Sequence, residues 1–491
     1  MSEHCYIACD LGAESGRVIL GRLAAGRLRL EEIHRFANPP VRIAGSLRWD
    51  LLRIFEELKV GLRMVACEPV ESLSVDSWGV DYALIGAGQP LLAVPHHYRD
   101  GRTDATFAAT RADANLIFAE TGIQFMPINT LYQLLADQRS SPQLLAVAEQ
   151  FLNIADYFNF LFSGRVAAEE SLASTSQLYD PRSGEWSARL IEHFGLPMRI
   201  FPPVVRSGSL LGGMRPELEE ELGLRGVEVI ATCSHDTGAA VAAVPAEGEG
   251  WAFLSSGTWS LLGVELPGPL INASVQAANF TNEAGYGGST LFLKNLSGLW
   301  LLQECRRFWG GEGKALDYAE LSRQAAEAEP LRSLINPNAE RFLQPGLMPA
   351  KIAEYCRETG QPEPESPGQF ARCIYESLAL LYRRTLGEIA QLTGRRIERL
   401  HTVGGGSQSA FLNQCAADAT GLQVLAGPVE ATAVGNLLIQ ALSHRHLASL
   451  EELRACVRRS FVPEEFQPGA SADWDLAYAR FLKLESSPTN T

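Results

Sequence analysis

A carboxylate at Asp236 follows directly on a strand-like run, Val227 to Thr232, and stands before a small-residue helix that opens Thr237-Gly238-Ala239-Ala240. This placement holds an acid rigidly at the end of a core strand, as a general base needs if it is to take a proton from a substrate hydroxyl. Asp is also a good helix cap, and on these residues alone both roles stay open. A second group lies near the N-terminus, where Asp10 precedes Gly12-Ala13-Glu14-Ser15-Gly16-Arg17. Small residues let backbone come close to a ligand, and successive N–H groups in such a turn form an anion-binding concavity. Ser15 and Arg17 add donors suited to phosphate oxygens, and Asp10 suits a magnesium ion held largely through water. An ordinary hairpin turn has the same composition, and the Glu14 carboxylate must point away from any triphosphate.

Two further segments carry similar chemistry. Ser255-Ser256-Gly257-Thr258 offers hydroxyls and N–H groups with no bulk before Trp259. In residues 400–424 a buried strand runs into Gly404-Gly405-Gly406, followed by a helix with Ser407 or Ser409 at its N-terminus. Three glycines let backbone lie flat against a nucleotide, and a helix N-terminus favours phosphate or ribose oxygens. A dinucleotide-binding fingerprint is excluded, because there is no GxGxxG with an acid closing the unit. A P-loop is excluded as well, since residues 310–315 lack both the spacing and the hydroxyl residue after lysine.

The elements that must position these groups alternate between strand and helix, which argues for α/β architecture. Residues 5–11 and 17–23 read as a hairpin about the first turn. Residues 72–86 read as one or two core strands with a polar turn at Asp76-Ser77. Helical patterns follow at 103–121 and 143–151, and more weakly at 185–195. Residues 202–213 read as a loop before the strand that leads to Asp236. Gly, Pro and acidic residues cluster at 245–250, the best domain boundary. Beyond it, residues 251–266 again read strand, small turn, strand, echoing the opening segment. Helices are expected at 299–308, 316–328 and 369–392, with a frayed tail from 485.

At 491 residues the chain is too long for one ordinary core, and two domains are expected: 1–245 and 250–460, with an extension at 461–491. Hydrophobic content of 46% with 20% charged residues is that of a folded protein, and a net charge of −15 gives no support to a nucleic-acid or membrane partner. The sequence opens on a strand, with neither signal-peptide pattern nor membrane-length apolar run, so the cytoplasm is expected; a monomer or small homo-oligomer is expected as well, without a sequence signal that sets it. The nine cysteines are dispersed, with no CxxC or Cys/His spacing for zinc; only Cys356 and Cys373, about a Pro-rich turn, suggest a bridge. His96, His97 and His401 have no partner carboxylate at a useful spacing and read as loop or core residues.

Two phosphate-sized turns, a triple-glycine segment and a strand-end Asp, in this order, resemble the FGGY carbohydrate kinases of the actin–hexokinase–Hsp70 superfamily. DLGAESGRV, DSWGVDY, YRDGRT, NTLYQL, SHDT, LSSGTWSL, LKNLSGLWLLQ, INPNAERF, CRETGQPEPES, ARCIYESLALLY, VGGGSQ and AGPVEATAVGN extend the resemblance over residues 5–460. It implies two actin-like ATPase (ribonuclease H-like) domains, each a mixed sheet flanked by helices, with an interdomain cleft. It implies ATP and Mg2+ as cofactors and a ketose as the small-molecule substrate. Asp236 would be the proton acceptor, and His235, Asp236, Thr237, Gly79 and Asn295 would line the sugar site. Ala13, Glu14, Ser15, Gly16, Arg17, Thr258, Gln303 and Gly405 would contact ATP, and Asp10 would lie near the magnesium. Gly79 would let backbone approach a sugar ring beside the wall of Trp78, and Asn295 both donates and accepts. Glu14 departs from the small hydroxyl residue more usual in the family. NTLYQL replaces the lysine-containing signature of the wider family, which weakens glycerol- or xylulose-kinase readings. The residues leave open which ketose is preferred, and also a non-catalytic sugar and nucleotide sensor.

Overall fold

The computed structural model describes residues 3–469 and 472–485; the tail expected to fray beyond them lies outside the described residues. The chain divides into two compact units. The first comprises Met1–Pro245, Glu265–Phe292 and Ala431–Ser460, and the second Ala246–Val264, Leu293–Glu430 and Phe461–Thr491.

The first unit is built on a six-stranded mixed sheet in the order Ser209–Gly213, Glu228–Ala231, Val70–Ser77, His4–Leu11, Ser15–Ala24, Arg27–Ala37. The three central strands run parallel, and antiparallel partners flank them. Period-two alternation decides which side of the sheet does what. Cys5, Ile7, Cys9 and Leu11 join Leu73 and Val75 in one apolar core, against helices Leu51–Met64 and Ile154–Ser163. The opposite side of the same two strands carries Ser72, Ser74 and Asp76 together with Asp10, and these are buried too. Helix Ala431–Ser443 covers that polar side, where Ser72 Oγ donates to Gln440 Oε1 at 2.7 Å and Asn436 Nδ2 to Asp76 Oδ2 at 2.6 Å.

The hairpin about the first turn is present as expected. Asp76 and Ser77, however, end a strand rather than forming a turn, because their backbones pair with Asp10 and Leu11. The segment expected as a loop, 202–213, contains the sheet-edge strand Ser209–Gly213, bulged between Leu210 and Gly212. Glycine content hid a strand whose hydrogen bonds come from its neighbour, not from its own propensity.

The second unit has a sheet in which Trp259–Leu266, Trp251–Ser256, Arg399–Val403, Gln423–Ala426 and Glu464–Phe466 follow one another. Its longest helix, Pro367–Thr393, starts at the Ser366 cap with Pro367 in the first turn and stops at Gly394 in the left-handed region. From it Tyr382 reaches Ser260 in the sheet at 2.8 Å. The nine cysteines are free thiols, Cys356 and Cys373 included. His97 stacks on Trp49 at 4.1 Å, and burial pushes its ring, like that of His96, down to about 3, so both stay neutral.

Candidate active site

In the first unit, strand ends bring the acids together. Asp10 is in register with Asp76 on one neighbouring strand and with Arg17 on the other, and the Arg17 guanidinium pairs with Asp10. Beyond the end of strand Glu228–Ala231 the chain bridges at His235 to Ser77, whose N–H donates to the Ser234 carbonyl at 2.9 Å. Asp236 begins helix Asp236–Ala242, and its Oδ1 accepts from Thr237 N at 2.6 Å and Thr237 Oγ1 at 3.1 Å. The cap position falls to His235, with no side-chain cap bond, and Asp236 is the first residue of the helix, not its cap. The Asp236 side chain is 33% exposed, whereas that of Asp10 is 5% exposed and Asp76 is fully buried. Burial, and Asp10 nearby, push the carboxyls of Asp76 and Asp236 above the ordinary range, while Asn436 and His235 pull the other way. One oxygen of Asp76, Oδ1, is buried with no hydrogen-bond partner.

His235 lies between two carboxylates, its Nε2 at 3.4 Å from Asp236 and its Nδ1 at 3.4 Å from Glu283. Burial disfavours its charge, but Glu283 and Asp236 outweigh that and raise its pKa. Buried Glu169 fixes the loop before Asp236, accepting from Ser234 N at 3.1 Å, Ser171 N at 3.0 Å and Leu172 N at 3.3 Å.

Gly79 lies two residues beyond Ser77, packed on Thr175, where an added Cβ would stand 3.0 Å from the threonine side chain. Val80, next to it, holds φ at 67°, which is a costly conformation for a β-branched residue. Thr175 Oγ1 accepts from its N–H at 3.1 Å, and Thr130 Oγ1 donates to its carbonyl at 2.6 Å. Asp81 completes the clamp by accepting from Trp49 Nε1 at 2.6 Å, Trp78 Nε1 at 3.0 Å, Tyr98 N at 3.1 Å and Gln133 Nε2 at 2.8 Å. Three of the sequence motifs, DSWGVDY, YRDGRT and NTLYQL, thus converge on one buried acid, which burial pushes up to about 6. In the first turn the Gly12 and Glu14 carbonyls accept from Asn38, and the Glu14 side chain is exposed. Gly16 lies beneath the Phe36 ring, where packing alone demands a glycine.

The second unit assembles its own group. Leu299 N and Trp300 N donate to the carbonyls of Gly257 and Thr258 at 2.9 and 3.2 Å, and Gln303 Nε2 reaches Thr258 Oγ1 at 3.3 Å. Gly404, at φ 81°, packs on the Ser256 carbonyl, and a Cβ on Gly405 would meet nothing within 4 Å. Gln303 Oε1 is buried without a hydrogen-bond partner, and Ser256 Oγ lies beneath Gly406. Ser409, not Ser407, caps helix Ala410–Thr420; Ser407 instead closes the turn onto the Gly404 carbonyl. Asn295 stands on strand Thr290–Ser297, also in the second unit apart from its first three residues. The structure therefore groups Asp10, the first turn, Gly79, His235, Asp236 and Thr237 in one unit, and Thr258, Gln303 and Gly405 in the other.

Sequence reasoning missed Asp76, Asn436, Glu283, Glu169 and Asp81. The usable signals were polar residues at alternate positions 72, 74 and 76 of an apolar strand, and Asn436 with Gln440 one turn apart in an apolar helix.

Residues 5–243 match the N-terminal domain of the FGGY family of carbohydrate kinases and residues 252–444 its C-terminal domain, and the chain belongs to that family. It is 42% identical to the rhamnulokinase of Bacteroides thetaiotaomicron over 97% of this chain and 98% of that one. It is 40% identical to the rhamnulokinase of Enterococcus faecalis over 95% of each. Among solved structures, xylulose kinase from Lactobacillus acidophilus shares the fold with a TM-score of 0.83 at 14% identity over 98% of each chain. Among the described residues no helix is long and apolar enough to cross a membrane.

Proposed function

We propose that this chain transfers the γ-phosphoryl group of ATP to the 1-hydroxyl of L-rhamnulose, giving L-rhamnulose 1-phosphate and ADP. The observation that carries the reading is Asp236, the partly accessible carboxylate of an otherwise buried acidic cluster, in a chain about 40% identical to rhamnulokinases over nearly its full length. Phosphoryl transfer asks the protein mainly for positioning, charge neutralisation and one base. Asp236 accepts the hydroxyl proton, and its bond from Thr237 N keeps the carboxylate aimed as the charge moves. His235 and Thr237 offer donors to sugar hydroxyls, and Gly79 leads into the strained Val80 beside them. The first turn, Thr258, Gln303 and Gly405 take the nucleotide. Magnesium fits the donor set: Asp10 with the unpartnered Asp76 Oδ1 would hold it, largely through water, and it would neutralise phosphate charge.

ADP release on adding L-rhamnulose, compared with L-fuculose, L-ribulose and D-xylulose, tests the reading. L-rhamnulose should give the highest kcat/KM. A clear preference for another of these ketoses would overturn the substrate, and binding of sugar and ATP without turnover would make the chain a sensor.

A further inference from the structure

The sequence has no short-range metal spacing, yet the fold of the first unit brings together two imidazoles and a carboxylate far from Asp236 in the chain. His4 opens the strand His4–Leu11, Glu71 lies near the start of Val70–Ser77, and His446 follows helix Ala431–Ser443. One ligand atom from each lies within 4.8 Å of the other two. Glu71 faces both rings, with Oε1 at 2.7 Å from His4 Nδ1 and Oε2 at 3.8 Å from His446 Nδ1.

Three independent features support a ligand set over a chance contact. The register of the two strands slips so that Cys5 pairs with Val70 and Tyr6 with Ser72, leaving Glu71 as the extra residue of a bulge. Bulges re-aim side chains, and parallel pairs rarely contain them. Buried Tyr6 bonds His446 Nδ1 through its hydroxyl, a contact that orients the ring; in the tautomer whose Nδ1–H donates to the phenol oxygen, Nε2 is the ligand atom. His446 also follows a helix C-terminus, its N–H donating to the Ala441 carbonyl, and that end of a helix favours a cation. The rings of His4 and His446 now stack at 3.6 Å, so binding requires them to turn about Glu71. All three side chains are a quarter to a third exposed, which admits an ion and leaves water as a further ligand.

We propose that His4, Glu71 and His446 form a binding site for a borderline divalent metal, zinc by preference, distinct from the magnesium that accompanies ATP. Two imidazoles and one carboxylate with an open position are a zinc ligand set, whereas magnesium prefers oxygen and water. The ion would tie the first strand of the sheet to the helix whose Asn436 and Gln440 hold Asp76 and Ser72.

The test is zinc titration by calorimetry of the nucleotide-free full chain, with cobalt substitution read by its visible absorption. Wild type should bind one tight equivalent and give a tetrahedral cobalt spectrum. The double variant His4→Gln/His446→Gln should lose that equivalent, with affinity lower by about 100-fold or more, and should lose the spectrum and the zinc-induced rise in melting temperature. Glu71→Gln, which keeps size and hydrogen bonding, should weaken zinc at least about 10-fold and serves if the double variant does not fold. Asp76→Asn should leave this equivalent intact. An unchanged tight equivalent in the double variant or in Glu71→Gln, or none in wild type, would overturn the proposal.

Discussion

Gly435 is where helix Ala431–Ser443 crosses the helix that begins at Asp236. A Cβ on Gly435 would stand 2.6 Å from the Ala239 carbonyl carbon and 3.1 Å from its Cα, and closer still to its oxygen, against 3.4 Å for ordinary contact. All three atoms are backbone, so no side chain can swing away and the two helices must separate by about 1 Å. Ala239 is one turn from Asp236, so that displacement passes directly to the base. Overpacking of this kind costs about 1–3 kcal/mol, and a misplacement of about 1 Å in a reacting group costs about 100-fold in rate. Gly435→Ala should therefore fold with a lowered melting temperature, lose about 100-fold in kcat, and keep its affinity for ATP. The assay is ADP release at saturating L-rhamnulose, beside thermal melting of the same sample. A variant with both the melting temperature and kcat of wild type would show that this crossing does not set the position of Asp236.

Asp236→Asn keeps an oxygen to accept from Thr237 N, so the chain should stay folded and bind both substrates while kcat falls about 100- to 10,000-fold; activity within a few-fold of wild type removes Asp236 as base. Because burial raises the Asp236 pKa, the base is protonated at a higher pH than an ordinary carboxylate, and the acid limb of kcat against pH should lie above 3.8. A limb at or below that value contradicts the burial argument. Buried Glu169 is pushed up to about 7 from 4.5, so between these values the folded chain keeps a proton that the unfolded chain has released. Glu169 alone should cost stability on the order of 3 kcal/mol as pH rises through that window, and Glu169→Gln should make the slope of urea-melting stability against pH shallower by that share, leaving the part due to Asp81.

Elements that carry their own pattern were legible. Cys5, Ile7, Cys9 and Leu11 alternate as a strand must, and the small residues after Asp236 form the helix expected there, although the strand before it stops at Ala231. What stayed hidden depends on partners distant in the chain. Asp76 reads as a turn residue until Asn436 is seen to bond it, 360 positions away. Val80 gives no sign of its left-handed backbone, which follows from Thr130 and Thr175 holding its two peptide groups. Gly16 reads as a ligand-approach glycine, yet the Phe36 ring above it is reason enough for the residue.

The late return of residues 431–460 to the first unit sets a timetable for the molecule's manufacture. A ribosome that has finished Pro245 has delivered every strand of the first unit's six-stranded sheet but not the helix that covers Ser72, Ser74 and Asp76. At ordinary synthesis rates that helix arrives roughly 10–40 s later. Until then the nascent sheet shows a polar side on which Asp10 has its Arg17 partner but Asp76 lacks Asn436. A product that stops short of residue 431 carries Asp10, Asp76 and Asp236 yet lacks the helix whose Asn436 holds Asp76.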